Sequence, residues 1–188
     1  MNKTELVYRC MLEAAEGGKR KMTQSEIART LGISLSTVNH ALVPLRRMGA
    51  VSVSLRSFSI VNPKKILMLW ASTRNIEKDV VYSTRADMPV KEIEKSMLSS
   101  VIFAAYSAYR LMFKDAPADY SEVYVYGEAD DIKKRFPEKK GPPNIIVLKK
   151  QFSFMTKTQI FVDLWNLKEW YAKEYLNAIE RRLNGILA

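Results

Sequence analysis

The side chains in this chain best suited to specific chemistry lie in one short stretch, residues 34–48. Val38, Leu42, Leu45 and Met48 recur at i, i+4, i+7 and i+10, an apolar stripe on one side of a helix. Ser36, Thr37, Asn39, His40 and Val43 fall on the opposite side, with Ser34 just ahead of them. Short hydroxyl and amide groups of this kind hydrogen-bond base edges or phosphate oxygens without a long flexible stem. The Asn39 amide carries one donor and one acceptor, the pair that matches adenine. Arg46 and Arg47 follow in the last turns, Arg56 lies further on, and Lys19, Arg20 and Lys21 precede the stretch. These cations suit phosphate. The chemistry on offer is recognition of a polyanion rather than bond making.

The residues needed for catalysis do not assemble. The sequence has no Gly-rich phosphate loop, no Cys/His metal set and no nucleophile motif. Its one histidine, His40, belongs to the polar face already described. Asp130 and Asp131 are adjacent, and neighbours on a helix do not face each other. No catalytic residue, cofactor or metal is expected, and the chain is read as a non-enzyme.

Several elements must hold the polar face in place. A helix over 4–15 is expected, capped by Thr4, with Leu6, Val7, Cys10, Met11 and Ala14 on its inner face and Gly17-Gly18 ending it. Lys19, Arg20 and Lys21 then form a basic loop. Thr23 and Glu26 make a capping box that starts a second helix, which buries Ile27, Ala28 and Leu31. Gly32 permits a sharp turn, Ile33 enters the core, and Ser34 caps the third helix. Pro44 removes the hydrogen bond to the His40 carbonyl and is expected to bend that helix past its contacting turns. Gly49 closes it. Residues 51–54 and 58–61 alternate apolar and polar at period two, a hairpin with Arg56 at its tip.

Helix, helix, turn, polar-faced helix and basic-tipped hairpin together resemble the winged helix-turn-helix domain of bacterial and archaeal transcription regulators. The stretch 25–42, SEIARTLGISLSTVNHAL, is similar to their helix-turn-helix core. The resemblance covers residues 1–62. It implies double-stranded DNA as partner, the helix over 34–48 in the major groove, and the hairpin over 51–61 on flanking backbone or minor groove.

Charge agrees with this reading. Residues 1–62 hold nine Lys/Arg against four Asp/Glu, an excess of five and half of the chain's net +10. A basic module of this kind is the electrostatic footprint of nucleic-acid binding. Hydrophobic and charged residues make up 47% and 27% of the 188 residues, as in ordinary globular proteins. Cys10 is the only cysteine, which excludes an intrachain disulfide. The first residues lack the apolar stretch of a secretory signal, and the longest apolar runs are too short to span a bilayer. A cytoplasmic location without membrane contact is expected.

The remaining two-thirds alternate strand-like and helix-like segments. Asn62-Pro63 starts a helix over 64–72 that packs on the hairpin or bridges two domains. Strands are expected over 80–85, 122–126 and 144–149. Helices are expected over 89–97, from Ser99 or Ser100 to 113, over 129–136 and over 167–187, while 159–163 reads as a short strand or the entry to the last helix. The fold class is α+β: a winged helix-turn-helix, then a small α/β domain with a mixed sheet and a long C-terminal helix. The domains are placed at 1–62 and 63–188, the second serving dimerisation, sensing or partner binding. The tyrosines and tryptophans of this half serve packing and a homodimer, with the last helix as the dimer element.

A second resemblance rests on residues 104–110, AAYSAYR, followed by 119–126, DYSEVYVY. Their layout is similar to a minimal nucleotidyltransferase, and a winged helix joined to a silent domain of that kind resembles type IV abortive-infection antitoxin regulators. The positions of the family's glycines hold Ala105 and Tyr106, and its metal-binding aspartate pair is replaced by Glu122 and Tyr124. Two carboxylates are needed to neutralise transferring phosphates, so the resemblance implies an antitoxin-like or adaptor protein rather than a transferase.

Overall fold

The computed structural model describes residues 1–187. The chain forms two compact units, one of Met1–Arg74 with the residues from Arg182 onward, the other Asn75–Arg181. The helix after Asn62-Pro63 therefore lies within the first unit.

In the first unit, α1 (Lys3–Glu16), α2 (Gln24–Leu31), α3 (Leu35–Arg47) and α4 (Pro63–Thr73) surround a small antiparallel sheet of β1 (Lys21–Met22), β2 (Val51–Val53) and β3 (Phe58–Ile60), ordered β1-β3-β2. The cap of helix α1 lies two residues before the expected Thr4. It is Asn2, accepting from Glu5 N at 2.9 Å while Glu5 accepts from Asn2 N at 3.2 Å. The buried face is also rotated from the expected one: Val7, Tyr8, Met11, Leu12 and Ala15 are inside, and Leu6, Cys10 and Ala14 sit at its border. Thr23 and Glu26 form their capping box, and Gly32 ends α2 in the left-handed region at φ 61°. Residues Val38, Leu42 and Leu45 of α3 are fully buried, while Met48 is half-exposed. The Tyr8 hydroxyl donates to the Ala41 carbonyl at 3.2 Å and ties α1 to α3. Pro44 does not end α3, which continues to Arg47.

Asn62 caps α4 by accepting from Lys65 N at 3.0 Å. Ile66, Leu67, Trp70 and Ala71 are its buried residues, and α4 packs on α1. Burying Ile66 and Leu67 contributes about 1.5–3 kcal/mol each. The Glu5 carboxylate sits inside this packing. It accepts from Arg74 Nη1 at 2.7 Å and from Trp70 Nε1 at 3.4 Å.

The second unit is built on a four-stranded sheet, ordered β4-β7-β6-β5. The central strands β6 (Val123–Gly127) and β7 (Ile145–Lys149) are parallel, joined by α7 (Ala129–Arg135). Both are covered on two sides, which explains their near-continuous apolar sequence. Strands β4 (Val80–Thr84) and β5 (Ile102–Phe103) flank them antiparallel, so the sheet is mixed. On one face Val123, Val125, Ile145 and Val147 pack with Ile93 of α5 (Val90–Ser96), Ile132 of α7, and Phe136. On the other, Tyr126, Ile146 and Leu148 pack with Ile76 and Ala104. Asn144 extends the β4–β7 ladder with its side chain, accepting from Ala86 N at 2.8 Å and donating to the Ala86 carbonyl at 2.9 Å.

Three expectations change here. Residues 101–103 do not continue a helix from Ser99 or Ser100. Ile102 and Phe103 pair with Tyr126 and Val125 instead, and α6 (Ala105–Phe113) starts after them. Residues 159–163 are helical, inside α8 (Lys157–Trp165), which Thr156 caps by accepting from Gln159 N at 3.1 Å. The last helix, α9 (Ala172–Leu187), begins five residues later than expected because Leu167 packs on the sheet core. Its apolar residues Tyr175, Ala178, Ile179 and Leu183 are already buried within the chain.

Tyrosines fill the second face of the sheet. Tyr106 meets Tyr120, Tyr124, Tyr171 and Tyr175 with ring centroids 5.0–6.3 Å apart. Buried hydroxyls require partners. Tyr106 and Tyr124 both donate to Glu169, at 3.0 and 2.8 Å, and Tyr126 donates to Asp163 at 2.7 Å.

Candidate nucleic-acid interface

Helix α3 presents Ser34, Ser36, Asn39, His40, Arg46 and Arg47 as exposed residues, with Thr37 and Val43 half-buried at the border. Ser34 is the cap: its Oγ accepts from Thr37 N at 3.2 Å and lies 2.9 Å from the Thr37 hydroxyl. These two hydroxyls therefore order the first turn of α3. Asn39 Oδ1 accepts from Arg46 Nη2 at 3.1 Å, so the amide is held by a cation two turns later. At about 1.5 Å rise per residue, Ser36 and Arg47 are separated by ~16 Å along the axis, enough to span several base steps. Pro44 has no N–H to give the His40 carbonyl its helical donor.

The β2–β3 hairpin closes through Ser54 N donating to the Ser57 carbonyl at 2.8 Å, and carries Arg56 exposed at its tip. A cleft of about 300 Å³ brings Arg56 together with Leu35 at the start of α3 and with Thr23, Gln24 and Ser25 at the start of α2. Arg56 and the first turn of α3 thus border one concavity. Gln24, Ser25, Leu35, Val53 and Leu55 line it too and were not among the sequence candidates. Leu35 is 52% and Leu55 98% exposed. Leu35 has the spacing of the buried stripe, three residues before Val38, but stands at the first helical position, beyond the end of the core. An apolar residue directly after a capping serine was the available signal. Exposed apolar groups of this type fit thymine methyl groups.

The basic loop is placed differently from expectation. Lys21 lies in β1, exposed, paired in register with Ser59. The Arg20 carbonyl accepts from Ile60 N at 2.8 Å, and Arg20 is half-buried. Lys19 forms an ion pair with Glu26. That bond, with the Thr23 backbone bond, holds the Glu26 carboxyl below its usual range. Lys19 therefore braces the start of α2, with Glu26 as its counterion. Sequence reasoning also missed Lys65, whose Nζ donates to the Met48 carbonyl at 2.6 Å and caps the C-terminal end of α3.

The residues behind the second resemblance also have definite places. Ala105 opens α6 with φ 47°, in the left-handed region. Glu122, just before β6, is half-buried and accepts a hydrogen bond from the Tyr171 hydroxyl. Among the described residues no helix is long and apolar enough to cross a membrane.

Residues 7–69, from within α1 to within α4 and a third of the chain, match the family model of the Crp-like helix-turn-helix domain. No curated protein and no solved structure matches the chain. The domain match and the fold of the first unit support a winged helix-turn-helix, DNA-binding regulator.

Proposed function

We propose, with the Crp-like helix-turn-helix domain as premise, that the chain is a sequence-specific regulator of transcription. Helix α3 enters the major groove of double-stranded DNA and the β2–β3 hairpin rests on flanking backbone or minor groove. The observation that carries this reading is the exposed polar ridge of α3 ending at a cleft it shares with Arg56. Ser36, Asn39 and His40 face bases. Lys21, Arg46, Arg47 and Arg56 neutralise phosphates, and Ser34 and Thr37 shape the first turn. The chain acts by binding and not by catalysis. It works as a homodimer, since a two-fold protein reads a two-fold operator. Titrating the full chain against its own upstream duplex and a shuffled duplex tests the proposal. Tight discriminating binding supports it; no binding to either at low salt overturns it.

A second reading is an antitoxin-like or adaptor role with a silent nucleotidyltransferase-like second unit. It is favoured by Ala105, which holds a left-handed conformation where that family has glycine. A stable complex with a protein encoded beside it supports this role. Metal-dependent nucleotide transfer abolished by Glu122→Gln contradicts both the silent domain and the non-catalytic reading.

A further inference from the structure

The second unit contains a cavity of about 620 Å³ between the start of α5, the end of α6 and the segment 115–120. A smaller one of about 320 Å³ adjoins it, sharing Lys91, Arg110 and Leu111. These volumes lie in the range of small-molecule sites. We propose that this groove binds a small amphipathic monoanion, an apolar body carrying one carboxylate-like head.

Three observations lead there. The base of the groove is fixed: Arg110 donates through Nε to the Tyr120 hydroxyl at 3.0 Å and through Nη2 to Glu94, and Tyr120 donates to the other Glu94 oxygen at 2.6 Å. The Glu94 side chain is only 4% exposed, whereas Arg110 is 30% exposed and lines the cavity, and among the described residues its Nη1 is left for a ligand. A guanidinium locked in this way is preorganised for a carboxylate. The walls add the second observation. Val90, Leu111 and Ala118 are apolar, and Leu111 is 37% exposed. The third is charge. Lys91 and Lys114 are exposed and line the cavity, while Asp115 and Asp119 also border it. Glu94 already offsets Arg110, so two lysines stand against two aspartates. The lining is thus neutral overall, so a negative head is held locally at the Arg110 guanidinium rather than by net charge, and the second charge of a dianion such as a phosphate monoester finds no cation that an acid does not already offset.

The site stands apart from the DNA-binding reading, and its test contains no DNA. The full chain is titrated with 8-anilino-1-naphthalenesulfonate, an aromatic monoanion, and the bound dye is then competed with sodium decanoate or inorganic phosphate. One saturable site is expected, displaced by decanoate and not by phosphate. Lys91→Glu with Lys114→Glu should raise the dye Kd roughly tenfold, and Ala116→Trp should abolish the site by filling it. Circular dichroism and unchanged melting confirm that both variants fold. Unsaturable dye binding, displacement by phosphate but not decanoate, or wild-type affinity in both variants overturns the proposal.

Discussion

Neutralising Lys19 and neutralising Arg47 should affect DNA binding differently, although both remove one positive charge. Each phosphate that a protein cation neutralises releases condensed counterions, and the logarithm of affinity falls with the logarithm of salt by about 0.9 per contact. Among the described residues Lys21, Arg47 and Arg56 are exposed without an ion-pair partner, and Arg46 keeps its full charge while it holds Asn39. Four contacts per protomer give a slope of about −3.6, and a symmetric dimer about −7. Arg47→Ala or Arg56→Ala should flatten the slope by ~0.9 per protomer. Lys19 already has Glu26 as counterion, so Lys19→Ala should leave the slope nearly unchanged. Fluorescence anisotropy of a labelled duplex over a salt series measures all three. A Lys19→Ala slope flattened as much as that of Arg47→Ala would refute the reasoning. It would mean that Lys19 leaves Glu26 on binding.

Other consequences can be measured directly. Asn39→Ala should relax discrimination at one base pair by about 1–3 kcal/mol; unchanged preference at every position of a mutated operator would mean that Asn39 reads no base. Glu5→Leu leaves the fully buried Arg74 guanidinium without this carboxylate and should destabilise the fold by about 3–5 kcal/mol in urea titration. A loss below about 1 kcal/mol would contradict the burial argument. Gly32→Ala meets no atom within 4 Å, so its cost is the left-handed backbone alone, about 1–2 kcal/mol, with Gly32→Asn costing less. The tyrosine cluster should make the protein sensitive to alkali. Burial first, and then neighbouring carboxylates, hold Tyr106, Tyr124 and Tyr171 above the ordinary 10.0, and push Tyr120 up to about 12. The folded state thus keeps protons that unfolded tyrosines lose near 10.0, so this stability is complete below that pH and is lost as pH rises through 12. Circular dichroism against pH checks it; unfolding well below pH 10 would exclude the tyrosines as its cause.

The parts of the fold readable from sequence are those set by local chemistry. The Thr23–Glu26 box, Gly32, the Ser34 cap and Asn62-Pro63 each satisfy or terminate backbone groups within a few residues, so their spacing is enough to locate the helix ends. The strands expected over 122–126 and 144–149 were visible within one residue of their bounds, the first from its alternation. What pairing at long range decides was not visible. Ile102 and Phe103 look helical until Tyr126 and Val125 lie beside them, and nothing near Lys21 reveals that Ser59 will be its strand partner. The same divide runs through the candidate interface. The polar ridge of α3 follows from helical period, whereas the pairing of Lys19 with Glu26 and the exposure of Leu35 depend on neighbours that only folding supplies. The α5–α6 groove was invisible for that reason, since Arg110, Glu94 and Tyr120 have no informative spacing along the chain.

The Asn39–Arg46 hydrogen bond has a consequence for how such a protein changes its target over generations. One residue suits a base, the other suits the sugar–phosphate backbone, and the bond makes their effects on binding non-additive. Replacing Asn39 to accept a different base also releases Arg46 from its fixed rotamer, so a drift in preferred site carries a loss of general grip. Divergence of the operator at that base pair therefore proceeds most easily through paired substitution at both positions, and related chains with different targets should vary there together.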